Sequence, residues 1–199
     1  YLSQEIIKKG IINVNDLTPI KEKIYLWQGD ITTLRCDAIV NAANNRLLGC
    51  FVPCHECIDN AIHTYAGIQL RLACDKIMKS KNSFAETGSA EITQAYNLPS
   101  DYIIHTVGPI INSNLTQNDC LLLKLCYQSC LNAAEENNLK SIAFCCISTG
   151  EYHFPNQKAA EIAIDTVTEF IKSSNIERVI FNVFKDKDYE IYRKLLQTN

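Results

Sequence analysis

The sequence has no apolar run near the roughly 20 residues that a membrane-spanning helix needs, and its start shows no basic, apolar, small-residue leader pattern. Lysine and arginine are nowhere concentrated, and the net charge is −3 with a pI near 5.8. That balance excludes a binder of duplex DNA or other polyanions, because phosphate-backbone contacts need a clustered positive face. It leaves room for a small phosphorylated ligand held by backbone amides. Repeats, low-complexity tracts and Gly/Pro/Ser-rich linkers are also missing. The 199 residues therefore read as one domain over 24–199, with residues 1–23 as an extension that packs on it. The expected state is monomeric, with neither nucleic acid nor membrane as a partner.

Cysteine, by contrast, is abundant, with ten residues. A disulfide scaffold is the wrong class for a chain this long and this rich in core runs. Cys36, Cys74, Cys126, Cys130, Cys145 and Cys146 stand in apolar contexts, where a thiol behaves as a small hydrophobe. A reducing, cytoplasmic compartment is expected.

The apolar pattern predicts strands at 23–28, 36–40, 89–93, 102–107, 141–148 and 178–184. Helices are predicted over 58–79, 118–138 (capped by Asn118 or Asp119), from 156, and over 186–196. Strands that are apolar throughout, alternating with helices of ten to twenty residues, indicate an α/β fold with a largely parallel sheet. In such sheets the ligand lies beyond the carboxyl ends of the strands.

Three stretches place polar chemistry at predicted strand ends: Gly29-Asp30-Ile31-Thr32, Asn41-Ala-Ala-Asn44-Asn45 and Ser148-Thr149-Gly150-Glu151-Tyr152. Singly they are weak. Asp30 or Thr32 is equally a turn cap, the asparagines equally a satisfied loop, and Ser-Thr-Gly before a helix a generic anion loop. A fourth feature is sharper. Cys50, Cys54, His55 and Cys57 crowd within eight residues, and thiolates with an imidazole are a donor set that suits Zn²⁺. Three ligands leave a position open, as in catalytic zinc sites; a fourth thiolate from Cys54 closes the site into a structural one. Thiols holding no metal are the remaining alternative.

Taken in order and spacing, these stretches resemble the macrodomain family of ADP-ribose-binding modules over roughly 24–197. The resemblance rests on Gly29-Asp-Ile-Thr32, Asp37-Ala-Ile-Val-Asn-Ala-Ala-Asn-Asn45, Ile58-Asp-Asn-Ala-Ile-His63 with Ala66-Gly67, and Ser148-Thr-Gly150 with Phe154-Pro155. It implies a three-layer α/β/α architecture with a mixed, largely parallel central sheet. Where the family commonly carries a glycine run, this chain has Gly49 to Cys57, which resembles the zinc-containing subgroup of protein-ADP-ribose hydrolases. That subgroup's Cys-x4-His-x-Cys pattern falls on Cys50, His55 and Cys57, implying one zinc per chain.

By the same resemblance, Asp30 accepts from the adenine amino group with the Ile31 backbone beside it. The amides of Ser148, Thr149, Gly150, Glu151 and Tyr152, at a helix N-terminus, hold the pyrophosphate. Asn44 meets the hydroxyls of the distal ribose, and Tyr152 packs on that sugar. Asp59 orients or activates water, although a carboxylate there is also a plain helix cap. Asn182 and Phe184 flank the adenosine, or are a surface amide and a core ring. His63 is expected to be packed and hydrogen-bonded, His105 a satisfied core or edge histidine, and His153 either a contact to the distal ribose or a residue that only narrows that end of the cleft. The implied activity is zinc-dependent removal of mono-ADP-ribose from a modified protein, most plausibly from Asp or Glu esters. The alternative is a non-catalytic ADP-ribose-binding module with a structural zinc.

Overall fold

The computed structural model describes residues 4–53, 55–81 and 84–198. A six-stranded sheet forms its middle, in the order β2 (Ile24–Gln28), β8 (Arg178–Val183), β7 (Ser141–Phe144), β4 (Ala38–Ala43), β6 (Tyr102–Val107), β5 (Ala90–Gln94). All neighbours are parallel except β5, which runs antiparallel to β6 at one edge. The four inner strands are buried almost end to end, while the edge strands β2 and β5 are only partly covered. That difference is why the inner strands read as unbroken apolar runs.

Helices cover both faces. α4 (Gln117–Glu136), α5 (Asn156–Phe170) and α6 (Asp186–Thr198) pack side by side as one layer. α2 (Ile58–Ala66) and α3 (Ile68–Ser80) pack together against β4 and β5 as the other. In the extension, α1 (Gln4–Lys9) buries Ile6 completely, and β1 (Ile12–Asn13) pairs in parallel with β3 (Leu34–Arg35). No helix among the described residues is long and apolar enough to cross a membrane.

Several boundaries differ from the pattern-based ones. The expected helix over 58–79 is two helices, because Gly67 at φ +91° and ψ 179° turns the chain between them. β4 begins two residues later than expected and runs on through Asn41 to Ala43, so polar Asn41 is a strand residue. β7 stops at Phe144, well short of Ser148. α4 is capped by Thr116 rather than Asn118 or Asp119. The Thr116 hydroxyl accepts from the Asp119 amide while the Asp119 carboxylate accepts from the Thr116 amide, a reciprocal capping box. Its buried stripe runs through Leu123, Cys126, Tyr127 and Cys130, with Leu122 at the margin.

The conformation of Gly67 is one that only glycine adopts without strain. Gly67→Ala is expected to cost roughly 1–3 kcal/mol, because its Cβ also lands 2.7 Å from Asn97 Nδ2. Urea unfolding measures it; an unchanged midpoint would show that the α2–α3 break tolerates a side chain.

Candidate functional site

Parallel β2, β4, β7 and β8 deliver their carboxyl ends to one side of the sheet. The segments leaving them meet there: Gly29 to Thr33, Asn44 to Pro53 with His55 to Cys57, Cys145 to Phe154, and Phe184. Direct bonds tie the first to the last, since the Gly29 amide donates to the Val183 carbonyl at 2.9 Å and Asn182 Nδ2 to the Gly29 carbonyl at 2.9 Å. His55 Nε2 stands 3.7 Å from the Glu151 carboxylate, bringing the thiol-rich loop against the Ser148–Tyr152 stretch. A separate cavity of about 400 Å³ opens at the other end of the strands, beside Arg35, Lys140 and Arg178. There the Asp37 carboxylate is already taken up by the amides of Lys140 and Ser141, at 2.5 and 3.0 Å.

Asp59 is the most constrained group of the site. It lies in the first turn of α2, 5% exposed, yet the helix cap is not its carboxylate: Cys57 fills that position, its sulfur accepting from the Asn60 amide at 3.4 Å. Asp59 Oδ1 instead accepts from Asn41 Nδ2 at 2.8 Å, and Oδ2 from Asn44 Nδ2 at 3.2 Å. Burial pushes the carboxyl up to about 6, opposed by those two amides and by Arg71. Asn44 is also bonded within its loop, donating to the Gly49 carbonyl at 3.2 Å and accepting from the Arg46 amide at 3.0 Å, which leaves its carbonyl oxygen one further lone pair. Its nearest duty is to hold Asp59 and shape the turn.

Two histidines back this carboxylate. His105 is fully engaged, facing Asn41 Nδ2 through Nδ1 at 3.2 Å and Thr93 Oγ1 through Nε2 at 2.9 Å. His63 differs from expectation: it is packed, but neither ring nitrogen has a hydrogen-bond partner among the described residues. Its Nε2 lies 3.6 Å from Asp59 Oδ1. The backbone of Gly49, at φ +84°, lies flat on its ring, where a Cβ would come within 2.7 Å of Cγ. Burial pulls His63 down to about 4 and His105 down to about 3, so both are neutral near pH 7.

Asp30 caps the short 3-10 turn Ile31–Thr33. Its Oδ1 accepts from the Thr32 amide at 3.0 Å and the Thr32 hydroxyl at 2.6 Å. Its Oδ2 accepts from Lys9 Nζ at 2.6 Å, and the same ammonium reaches the Tyr65 hydroxyl at 3.0 Å. No sequence pattern marks Lys9, which reaches Asp30 across 21 residues. Ile31 is buried. At the end of β8, Asn182 is buried and Phe184 is 73% exposed, the reverse of a surface amide with a core ring.

The Ser148–Tyr152 stretch is not at a helix N-terminus, because α5 starts only at Asn156. It is a turn of its own, closed by the His153 amide on the Gly150 carbonyl at 3.0 Å and the Phe154 amide on the Ser148 carbonyl at 2.9 Å. Ser148 and His153 take positive φ (64° and 56°), and His153 is exposed. Among the described residues, the amides of Gly150, Glu151 and Tyr152 donate to nothing. The space over Gly150 is open. Consecutive free N–H groups around a turn suit an anion. Tyr152, half-buried, is anchored through its carbonyl to the Ile111 amide at 2.9 Å.

The donor atoms of Cys50, His55 and Cys57 all lie within 4.8 Å of one another, with Cys50 Sγ 3.4 Å from His55 Nδ1. Tetrahedral zinc separates a sulfur and a nitrogen ligand by about 3.5 Å, so the set fits the ion. Burial pushes the Cys57 thiol up to about 11, so a thiolate there needs a cation beside it. Cys54 lies outside the described residues. His63, Cys74 and His105 also approach one another closely, but the bonds of His105 to Asn41 and Thr93 use both of its nitrogens.

The buried histidines set a pH dependence. Their folded values lie below the ordinary imidazole value, so folding binds fewer protons than the unfolded chain. Stability is present above about pH 6.5 and is lost as pH falls toward about 4. His63→Leu should remove its share, improving by about 2 kcal/mol relative to the parent between pH 7 and pH 4.5. Guanidinium unfolding at both values measures this; a constant gap would mean that His63 is protonated in the folded protein.

Residues 40–163 match the model of the Macro domain. A protein-ADP-ribose hydrolase of Treponema medium is 53% identical over 201 residues, covering 98% of this chain and 77% of its own length. A protein-ADP-ribose hydrolase of Staphylococcus aureus (strain MRSA252) is 50% identical over 196 residues, covering 96% and 73%. Among solved structures, the macrodomain of Trypanosoma brucei in complex with ADP-ribose superposes with a TM-score of 0.81 at 34% identity, over 94% of this chain and 77% of that one. The mixed, mostly parallel sheet between two helical layers is the fold they share. On the family match, the identity and the common fold, the chain belongs to the Macro domain family.

Proposed function

We propose that the protein is a protein-ADP-ribose hydrolase that releases mono-ADP-ribose from a modified side chain, an ester of Asp or Glu in the first instance. The observation that carries this is the pairing of a buried, doubly amide-held Asp59 with the Cys50, His55, Cys57 donor set on the loop that leads into its helix. Relatives at 53% and 50% identity named protein-ADP-ribose hydrolases support it. So do the three unpaired amides at Gly150 to Tyr152, which offer a seat for the pyrophosphate.

In this mechanism the Ser148–Tyr152 turn holds the pyrophosphate through the amides of Gly150, Glu151 and Tyr152, Asp30 with the Ile31 backbone takes the adenine edge, and Phe184 with Asn182 borders the adenosine. Tyr152 packs on the distal ribose, and Asn44 meets that sugar while holding Asp59. Asp59 orients a water and accepts its proton as oxygen joins the anomeric carbon. The bond from that carbon to the side-chain carboxylate breaks, and its electron pair leaves with the carboxylate. Held by Cys50, His55 and Cys57, zinc would supply Lewis-acid stabilisation beside the reacting bond. A reducing cytoplasm suits the core thiols, which are free in Cys36, Cys74, Cys126, Cys130, Cys145 and Cys146.

Protein purified without chelators should carry about one zinc per chain, lost in Cys57→Ala together with turnover; elemental analysis finding none rejects the metal assignment. Asp59→Ala should lower release of free ADP-ribose from an auto-modified acidic substrate by roughly 10²–10⁴-fold. Its calorimetric affinity for ADP-ribose should hardly change. A parent that binds ADP-ribose but releases none would make the protein a reader.

Asp30→Ala should weaken ADP-ribose by roughly 1–3 kcal/mol. An unchanged dissociation constant would take Asp30 out of the adenine subsite.

A further inference from the structure

Behind Asp59 a line of buried polar groups crosses three adjacent strands. Asn41 of β4 stands in register with His105 of β6, and Thr93 of β5 lies two residues from Glu91, the register partner of His105. All three are buried, Asn41 and His105 almost completely. From Asp59 inward the distances are 2.8 Å to Asn41 Nδ2, then 3.2 Å to His105 Nδ1, and 2.9 Å from His105 Nε2 to Thr93 Oγ1. The other buried polar residues of the sheet, Thr106, Ser141 and Asn182, bond to backbone groups; three sheet side chains linked in line to a buried carboxylate of α2 call for a function.

We infer that His105 is a positioning residue which, acting through Asn41, holds Asp59 in place for the reaction. A primary amide presents N–H from one end and oxygen from the other, and which end faces Asp59 decides whether the carboxylate is held or repelled. The two hydrogens of Asn41 Nδ2 are divided between Asp59 Oδ1 and His105 Nδ1. That division requires an unprotonated Nδ1, which leaves the neutral ring with its proton on Nε2, donated to Thr93 Oγ1. In the flipped amide, Asn41 Oδ1 would confront the carboxylate, and His105 would need the other tautomer. The present orientation persists although it leaves Asn41 Oδ1 buried without a partner. An unpaired buried acceptor is costly, so the two donated bonds outweigh it.

The remaining charged and titratable groups about Asp59 do not replace this device. Arg71 of α3 acts on it at longer range and His63 of α2 lies 3.6 Å away. Cys57, Cys74 and Tyr152 feel its charge without bonding to it. Asn44 holds the other oxygen from an exposed loop. Asn41 alone reaches Asp59 from the sheet, and His105 decides which of its ends does so.

The role rests on the hydrolase reading, and two measurements separate the two. Long-range ¹H–¹⁵N correlation on the parent should show His105 as the Nε2–H tautomer, with Nδ1 unprotonated. In kinetics on an auto-modified acidic substrate, His105→Leu removes the acceptor and should lower kcat on the order of tenfold, about 1.4 kcal/mol. Its KM and its affinity for ADP-ribose should stay within about twofold. His105→Asn, which places an acceptor near the Nδ1 position, should restore most of kcat. If His105→Leu does not fold, Thr93→Val leaves only the weakly accepting Cys74 sulfur, 3.8 Å away, facing Nε2–H, and should mix the tautomers and lower kcat severalfold. An active parent with the Nδ1–H tautomer overturns the positioning role alone. So does full kcat in His105→Leu, or in Thr93→Val where it stands in, or a folded His105→Asn as slow as the leucine variant. A parent that releases no ADP-ribose overturns the hydrolase reading and the positioning role with it.

Discussion

The burial of one carboxylate is the constraint on which the site depends. Asp59 is placed where water is largely absent, and burial works against its charge. A buried charge is tolerated only when hydrogen-bonded, so the surroundings must supply donors. They come from both sides: Asn41 from the sheet, which requires β4 to run on past Ala38–Val40, and Asn44 from the loop beyond. The loop can deliver Asn44 only by folding back tightly. That fold uses left-handed conformations at Leu47 and Gly49 and lays the Gly49 backbone against His63. One charge thus dictates the strand end, the turn and the packing of α2.

The same region carries groups that folding leaves unsatisfied: both nitrogens of His63, the carbonyl oxygen of Asn41, and the Ser148 hydroxyl. Native interiors leave few such groups, and those that remain collect where function outweighs stability. Here His63 and Asn41 flank Asp59 and Ser148 opens the anion turn, while Ser100 and Tyr127 leave such atoms elsewhere among the described residues. The free amides at Gly150 to Tyr152 are of the same kind, donors left over because the turn closes on itself through His153 and Phe154. Glu151 links the two loops, its carboxylate facing His55 from the anion turn.

Much of this organisation is legible in the sequence. The α/β class follows from apolar strands between helical stretches, since a strand buried on both faces cannot alternate. The thiol and imidazole cluster is local in sequence, so its donor atoms converge within a single loop. Gly29 to Thr32 and Asn44-Asn45 lie just past the ends of β2 and β4 because the chain must turn there, while Ser148 to Tyr152 follows β7 only after Cys145 to Ile147. Those features are determined by short-range pattern and by spacing.

What tertiary structure alone decided concerns partners far apart in the chain. Lys9 on Asp30, Glu151 beside His55, and Thr93 and His105 behind Asn41 are separated by 12 to 96 residues, and no local pattern announces them. Burial belongs with them: Asn182 turned inward to bond Gly29 while Phe184 stayed exposed, and no propensity favours that choice. Residue types say which groups can donate, accept or bind metal. Only the sheet order, which sets β6 between β4 and β5, says which of them meet and which way an amide must face.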